Sequence, residues 1–430
     1  MSYPLLARRR TLLGAFLLVF VGIGITINTV GLFIGEVTAA RGFPTGPFAL
    51  VFSIGALVNI AGSILVGRLL ERYDHRPVMT VSILLLGFGM ALYAAAGELR
   101  HFYLVAFLTG SGTAGSHLIP ATTFVTRVFR RRRGAAMAVV LAGNGLGGLV
   151  FNPLFRWIIE ANPLGMPFGY QSGYILAGIA IVGILLPVTF LLPADALRAG
   201  IVPEVAGSAD GNPTPAENGA SGQDAPGGMK LGAALRTPAY WALAITIAAV
   251  SFVFMGGNQH LYIHFSSVLG FAGGDASGLV GVMMGMTIPG ALFAGFLIDR
   301  GGIRTTLATF GYSLVFLLAF ISRVETLGSA WIFVIFYGFF NVVQTVMPPL
   351  LVSDVFGSRH FSSIFGSLIV AQTIGAAAGP YVLGALYDIH GDYSLAFSLS
   401  ALLLAAGVSL GVLSPRGRAR AAVMLGGQFW

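Results

Sequence analysis

GFLIDRGGIR (295–304) and GRLLERYDHR (67–76) are two copies of one charged turn, and their repetition decides the fold. Each copy begins with Gly, places an acid–Arg pair four residues later and ends in a further Arg. The copies lie 228 positions apart (295 − 67). A second pair of segments, FVTRVFRRRRG (124–134) and LVSDVFGSRHF (351–361), aligns at an offset of 227 (351 − 124). Matches at nearly constant spacing indicate that the chain contains two related halves.

The composition of the chain is that of an integral membrane protein. Of its 430 residues 56% are hydrophobic and 9% are charged, whereas a soluble protein has roughly 25% charged residues. Its apolar runs of about 20 residues are long enough to cross a bilayer as helices, and they lack the alternation of a membrane barrel. The net charge of +8 fits basic loops at a membrane and does not indicate nucleic-acid binding. The absence of cysteine excludes disulfides and thiolate metal sites, and no cofactor or metal is predicted.

The hydropathy pattern predicts an all-α protein with twelve membrane-spanning helices. They cover residues 11–35, 47–69, 78–97, 102–126, 134–158, 171–192, 239–263, 276–297, 305–323, 330–353, 362–384 and 392–413. Twenty of the 24 basic residues fall before the first span, after even-numbered spans or in the tail. Because positive charge collects on the cytoplasmic side, both termini are predicted to be cytoplasmic.

The spans divide into two six-helix bundles, residues 1–192 and 237–413. Residues 193–236 between them are rich in Gly, Pro, Ala, Ser and Asn, which is typical of a flexible linker and favours a cytoplasmic loop over a regulatory domain. Residues 414–430 are predicted to form a cytoplasmic tail.

This arrangement of spans and charged turns resembles the major facilitator superfamily. A turn of the form G-x-x-x-(D/E)-R-x-x-x-R after spans 2 and 8 is typical of that family, and the resemblance covers essentially the whole chain. The second copy is close to the usual form, whereas the first has Glu71 in place of Asp and Asp74 in place of Gly. LRTPAYWALAI (235–245) and HLYIHFSSVLGF (260–271) look like the bacterial monocarboxylate and oxalate:formate branch. Carboxylate carriers of that branch commonly have an Arg in span 8, where this chain has Ala291.

The charged turns are predicted to form a cytoplasmic gate. An acid at a helix end, beside Arg residues and a neighbouring helix N-terminus, can hold two bundles together when the binding site faces outward. We expect Glu71 and Asp299 to pair with Arg127 and Arg359; the alternative is a charge cluster that only sets topology. The predicted gate residues are Gly67, Glu71, Arg72, Arg76, Arg127, Gly295, Asp299, Arg300, Arg304 and Arg359.

The resemblance places the substrate site near the midplane, where spans 1, 4, 7 and 10 of the two halves meet. Polar side chains at that depth are costly and are therefore candidates for substrate binding or proton coupling. The candidates are His117, Gln344, Asn341, Asn28, Gln259, His260, Asn144 and Gln372, whereas Asn59 in span 2 is interpreted as peripheral.

His117 is the strongest candidate among these residues. It lies in the middle of span 4, and adding 227 leads to Gln344 in span 10, so the two are predicted to face each other across the pseudo-two-fold axis. Asn341 precedes Gln344 by three residues and shares its helix face. A histidine can load or release a proton near neutral pH; the alternative is a neutral, hydrogen-bonded packing residue.

These features predict a transporter and no enzyme. The only lysine, Lys230, provides no ATP-binding loop, and neither a GxSxG nor an HExxH motif is present. The first hypothesis is a proton-coupled secondary transporter of a small organic anion, monomeric and in a bacterial inner membrane. The alternatives are a proton-driven exporter of hydrophobic or cationic compounds, with Glu36 as the coupling acid, and a receptor that kept a transporter fold.

Overall fold

The computed structural model describes residues 5–129, 133–192, 229–357 and 360–414, and nearly all of these residues are helical. The N-terminal half of the described chain contains α1 Leu5–Thr26, α2 Val30–Arg41, α3 Thr45–Arg72, α4 His75–Leu92, α5 Leu99–Ser116, α6 Leu118–Val128, α7 Arg133–Ala161 and α8 Gly169–Leu191. The C-terminal half contains α9 Leu231–Ala234, α10 Pro238–Ile263, α11 Gly273–Gly285, α12 Thr287–Phe320, α13 Leu327–Asn341, α14 Val343–Phe356, α15 Phe361–His390 and α16 Ser394–Leu413. Most of the predicted linker and tail, 193–228 and 415–430, lies outside the described residues.

The described helices form twelve passes across the membrane. In chain order, pass 1 is α1 with α2, passes 2 and 3 are α3 and α4, pass 4 is α5 with α6, passes 5, 6 and 7 are α7, α8 and α10, passes 8 and 9 are the two parts of Gly273–Arg323 before and after Gly302, pass 10 is α13 with α14, and passes 11 and 12 are α15 and α16. Ten helical stretches of the described chain are long and apolar enough to span a bilayer. One of them, Gly273–Arg323, has 51 residues, which is far more than the ~20 residues one crossing needs, and it turns back at Gly302. Counting that stretch twice and adding α5 with α6, which together form one interrupted pass, gives the predicted twelve. The prediction of an all-α fold with twelve membrane-spanning helices is thereby confirmed.

The passes alternate in direction, so the bundle has two distinct sides. We call the side where α1 begins the terminal side, and the opposite side, where α2 ends and α3 begins, the far side. The ends of α7, α10 and α15 also lie on the far side, because each of these passes begins on the terminal side.

Passes 1, 4 and 10 are interrupted, which corrects the prediction of continuous helices. Pass 4 breaks at His117, whose backbone leaves the helical region (φ −138°, ψ −77°), so this histidine joins two helices and is not within one. Pro120, three residues later, explains the break, since proline lacks an N–H and clashes with the preceding turn of a helix. Pass 1 breaks between Thr26 and Val30, and pass 10 breaks at Val342. Pass 8 has a similar break at Met286, between α11 and α12.

The two charged turns differ in backbone conformation where their sequences differ. Gly302 has φ +80°, a conformation that glycine adopts readily, and it reverses the chain between passes 8 and 9. The corresponding position of the first copy, Asp74, has φ −59°, and its carboxylate accepts a hydrogen bond from the backbone N–H of Arg76. The first turn therefore begins α4 with an aspartate N-cap instead of a glycine reversal.

The outer surface of the bundle is apolar, as a lipid-facing surface requires. Large hydrophobic side chains such as Phe88, Leu104, Leu292 and Phe316 are each more than half exposed. Trp157 and Trp241, near the ends of their passes, are exposed as well, in keeping with the enrichment of aromatic residues at membrane interfaces. Many apolar side chains from both halves, including Phe33, Phe124, Tyr262 and Phe310, form one buried core.

Candidate functional site

A cavity of about 180 Å³ lies between the two halves of the bundle. Its walls come from passes 1, 2, 3 and 4 of the N-terminal half and from passes 7 and 11 of the C-terminal half. The described residues that line it include no Asp, Glu, Lys, Arg or His. Since one water occupies roughly 30 Å³ of liquid, a space of this volume is large enough for several waters or for a small organic solute.

One predicted site residue, Gln259, lines this cavity, and one residue interpreted as peripheral does so too. Asn59 of α3 reaches the cavity from the N-terminal half, which corrects its peripheral assignment. The remaining polar wall consists of hydroxyl groups from Thr26, Ser53, Tyr93, Thr109 and Thr113. Sequence reasoning missed these because helical threonines and serines are common and most bond their own backbone.

His117 lies one helical turn beyond the cavity wall, four residues after the lining residue Thr113. Its side chain packs on Gly22 of α1, where an added Cβ would overlap with the His117 side chain. Nδ1 accepts a hydrogen bond from the backbone N–H of Leu118, and buried Nε2 has no hydrogen-bond partner among the described residues. Because Nδ1 accepts, the neutral ring carries its hydrogen on Nε2, so the site contains an imidazole N–H that is free to donate to a ligand.

Gln344 and Asn341 of pass 10 both bond to pass 7 in their own half. Gln344 Oε1 accepts from the hydroxyl of Ser251 at 2.9 Å, and Asn341 Nδ2 donates to Asn258 Oδ1 at 2.9 Å. Both side chains face α10, as a shared helix face predicts. His117 likewise packs on the first pass of its own half, and its predicted opposition to Gln344 across the axis stays a prediction.

Asn28 and Asn144 join passes 1 and 5 at the break in pass 1. Asn28 Nδ2 donates to the backbone oxygen of Asn144 at 2.8 Å and to its Oδ1 at 3.0 Å. Asn28 is buried and is adjacent to Ile27, which lines the cavity. Gln372 lies on α15 one turn before the lining residue Ala376.

His260 is fully buried, and both of its ring nitrogens have partners. Nδ1 lies 2.8 Å from the hydroxyl of Tyr393, and Nε2 lies 2.7 Å from the carbonyl oxygen of Pro380. These bonds connect α10 to α15 and to the start of α16, an arrangement that favours a packing role for this histidine. Its neighbour His264 has no hydrogen bond among the described residues and lies against the rings of Tyr393 and Phe397.

The two halves are bonded together toward the far side. Glu36 of α2 pairs with Arg156 of α7 and accepts a hydrogen bond from Tyr262 of α10. The carboxylate of Asp388 at the end of α15 accepts the backbone N–H groups of Thr45 and Gly46 at the start of α3, both at 2.8 Å. We refer to these residues together as the far-side seam.

The backbones of the two halves also approach closely at this seam. A Cβ on Gly46 would lie 2.6 Å from the backbone nitrogen of Ala385, and one on Gly31 would lie 2.5 Å from the carbonyl oxygen of Gln259. Both contacts join a helix of the N-terminal half to a helix of the C-terminal half. Glycine is required at such points because any side chain would separate the helices.

The predicted gate residues lie on the terminal side, where the described contacts remain within one half. Asp299 and Arg300 are exposed, and the Arg300 guanidinium lies 4.1 Å from the ring centre of Phe296. Arg304 lies 3.7 Å from Asp354 and donates to the carbonyl oxygen of Val412. Arg76, in the first copy, lies beside Phe190 of its own half.

The gate glycines lie in open space among the described atoms. A Cβ on Gly67 or on Gly295 would meet no described atom within 4 Å. The side chains of Glu71, Arg72 and Arg127 and the whole of Arg359 lie outside the described residues, so the predicted pairing of these charges stays a prediction.

Comparison with known proteins agrees with the fold. The family model of the Major Facilitator Superfamily matches residues 12–380. Monocarboxylate transporter 13 of Bos taurus is 23% identical over 392 residues, which cover 90% of this chain and 85% of the relative. Monocarboxylate transporter 11 of Homo sapiens is 27% identical over 387 residues, which cover 86% of this chain and 74% of the relative. The fold is similar to that in the crystal structure of a bacterial homolog of the human lysosomal transporter Spinster, in an inward-facing and occupied conformation. The TM-score is 0.71 at 13% sequence identity, and the superposition covers 96% of this chain and 97% of that structure. The chain therefore belongs to the Major Facilitator Superfamily and is a multi-pass membrane transporter rather than an enzyme.

Proposed function

We propose that this protein is a secondary transporter that moves a small monocarboxylic acid together with a proton by alternating access. The observation that carries the proposal is a cavity between the two halves with no charged residue among its described lining. The similarity to proteins named monocarboxylate transporters supports the choice of solute.

The electrostatics of the cavity favour a cargo without net charge. An isolated carboxylate in a low-dielectric site costs several kcal/mol or more unless an opposite charge pairs with it. A proton that travels with the carboxylate neutralises the cargo and removes the need for a basic side chain. This reasoning also accounts for Ala291 in span 8, where an Arg is usual in carboxylate carriers of the branch that the sequence resembles.

His117 is the residue that we assign to proton transfer. It is buried next to the cavity, its Nε2 is unpaired among the described residues, and imidazole is the side chain that most readily changes charge near neutral pH. Gly22, on which it packs, has a carbonyl oxygen that accepts a hydrogen bond from the lining residue Thr26. A proton bound at His117 is therefore separated from the cavity wall at Thr26 by a single residue, Gly22.

The exporter hypothesis has weaker support, because the acid that it requires is already bonded. Glu36 pairs with Arg156 and Tyr262 in the far-side seam, so its charge is compensated within the protein. We further propose that the protein acts as a monomer in a bacterial inner membrane with its terminal side in the cytoplasm, in keeping with the distribution of basic residues.

Reconstituted vesicles test this function. Purified protein in liposomes is given radiolabelled L-lactate or pyruvate outside, with an inward proton gradient and the membrane potential clamped by potassium and valinomycin. We expect accumulation that follows the proton gradient and is unaffected by the potential, in contrast to protein-free liposomes. Uptake that requires the potential and ignores the proton gradient would contradict proton cotransport. Uptake of a cationic dye or a nucleoside instead of the acids would reject the proposed solute.

A further inference from the structure

The hydroxyl groups on the cavity wall have already used their hydrogens. Thr26 Oγ1 donates to the carbonyl oxygen of Gly22 at 2.6 Å, and Ser53 Oγ donates to that of Ala377 at 2.7 Å. Thr113 Oγ1 donates to the carbonyl oxygen of Thr109 at 2.8 Å. Each hydroxyl has one hydrogen to give, so none of these three can donate to a solute without losing a bond.

Tyr93 and Thr109 follow the same rule. Their hydroxyl oxygens lie 3.1 Å apart, and Thr109 Oγ1 also lies 3.2 Å from the carbonyl oxygen of Ala106, which can only accept. Thr109 therefore donates to its own helix and accepts from Tyr93, which uses the tyrosine hydrogen. The hydroxyl wall can accept hydrogen bonds from a solute but has no hydrogen left to offer it.

Two amide groups on the wall are not satisfied in this way. Gln259 is 6% exposed, and its Oε1 has no hydrogen-bond partner among the described residues; its Nε2 makes only a 4.0 Å contact with the sulfur of Met255. Oδ1 of Asn59 is likewise buried without a described partner. Buried polar atoms nearly always have partners, so unpaired ones that line a cavity point to a ligand.

From these observations we propose that Asn59 and Gln259 are the specificity-determining pair for an uncharged head group that carries a hydrogen-bond donor, the protonated carboxyl of a small acid. This inference rests on the proposed function and assigns the recognition to two residues. A carboxylate ion only accepts hydrogen bonds and would leave both amide oxygens unpaired. A protonated carboxyl donates its single O–H to the oxygen of one amide and accepts through its C=O from the N–H of the other, so it can bond to both side chains.

The two amides belong to different halves of the transporter. Asn59 lies on α3 in the N-terminal half and Gln259 on α10 in the C-terminal half. A head group that bonds to both amides would therefore join the two halves. These residues select the solute while the far-side seam is closed and the cavity lies between the halves.

The experiment compares two uncharged probes of equal size that differ in donor capacity. Propanamide has N–H donors, methyl acetate has none, and neither changes protonation near neutral pH. Each competes with radiolabelled L-lactate for the purified full-length protein in detergent. The variants are Gln259→Met, Asn59→Leu and, as a control, Gln171→Met. Gln171 is also a buried glutamine, but it lies outside the cavity and donates to the carbonyl oxygen of Ala94.

For the wild type and for Gln171→Met, we expect propanamide to compete about tenfold more strongly than methyl acetate, the size of one well-formed neutral hydrogen bond. Gln259→Met and Asn59→Leu should each reduce that ratio to about threefold or less. A loss of stability alone would weaken both probes equally and would leave the ratio unchanged.

The outcomes separate this inference from the proposed function. A wild-type protein that binds lactate with equal competition from the two probes, or variants that keep the wild-type ratio, would overturn the role of the amide pair and leave the transport proposal intact. A wild-type protein that binds neither lactate nor either probe would overturn the proposed function and, with it, the ligand class given to these amides.

Discussion

Tyr262 of α10 donates its phenolic hydrogen to Oε1 of Glu36 in α2 over 2.7 Å, and this bond joins the two halves of the transporter. The same carboxylate pairs with Arg156, which also bonds Glu160 one turn along its own helix. Glu36 and Arg156 are each less than one quarter exposed, so solvent screens their interaction less than at an open surface. The bond can persist only while the far side is closed.

Glu36→Gln should loosen the far-side seam. The bond from Tyr262, which joins the halves, then ends on a neutral amide instead of a carboxylate, and a charge-assisted hydrogen bond is about twice as strong as a neutral one, a change of about 1 kcal/mol or about fivefold in the open population. The native chain has no cysteine, so Ala376→Cys in the cavity wall provides a single reporter for a membrane-impermeant thiol reagent added from the far side.

Glu160→Gln is the matched control for this measurement. Glu160 bonds the same arginine but is 55% exposed and contacts it only within α7. We expect its labelling rate to equal that of the parent cysteine variant. Equal rates for Glu36→Gln and Glu160→Gln would show that the charge on Glu36 does not hold the seam.

Gly46→Val should prevent the far side from closing fully. A Cβ at this position would lie 2.6 Å from the backbone nitrogen of Ala385, and a backbone atom cannot rotate away as a side chain can. We expect labelling at Ala376→Cys to rise several-fold and lactate uptake to fall. Gly97→Val is the control, because a Cβ there meets no described atom within 4 Å. Unchanged labelling in Gly46→Val would mean that the Gly46–Ala385 contact does not limit closure of the far side.

His117→Gln should separate transport from the proton gradient. Glutamine keeps a hydrogen-bonding group near Leu118 but cannot exchange a proton, so gradient-driven uptake should fall at least about tenfold while lactate exchange between equal pools continues. His390→Gln, at an exposed position on the far side, should behave as the wild type. Gradient-driven accumulation that survives in His117→Gln would remove this histidine from the coupling mechanism.

His260→Phe should destabilise the protein without changing its selectivity. The change leaves the hydroxyl of Tyr393 and the carbonyl oxygen of Pro380 without their partner, at about 1–3 kcal/mol for each buried group. His264→Phe is the matched control, since that ring has only aromatic contacts among the described residues. Thermal unfolding should start at a lower temperature for His260→Phe than for His264→Phe, with the affinity for lactate retained in both. A loss of lactate affinity in a stable His260→Phe protein would instead favour a site role.

The duplication and the apolar spans were predictable because each depends only on the order of residues along the chain, as similar segments or as runs of apolar residues. The turn at Gly302 follows from a pair of glycines at the end of an apolar run, and the break in pass 4 could have been predicted from Pro120. The role of Asn59 could not be predicted, because whether an amide in an apolar helix faces lipid or a cavity depends on how the neighbouring helices pack. The Glu36–Tyr262 bond was equally hidden, since it joins residues 226 positions apart and belongs to one conformation of the transporter.

Gln259 connects the contents of the cavity to the closure of the protein. Its amide lines the cavity, while its backbone carbonyl oxygen presses against Gly31 of the opposite half. A shift of α10 that repositions this amide around a solute must also displace the glycine contact, because both groups belong to the same residue of a stiff helix. Binding of a solute at this amide therefore changes the far-side seam directly. Such a link between binding and opening is what a cotransporter needs if protons are not to cross without the solute.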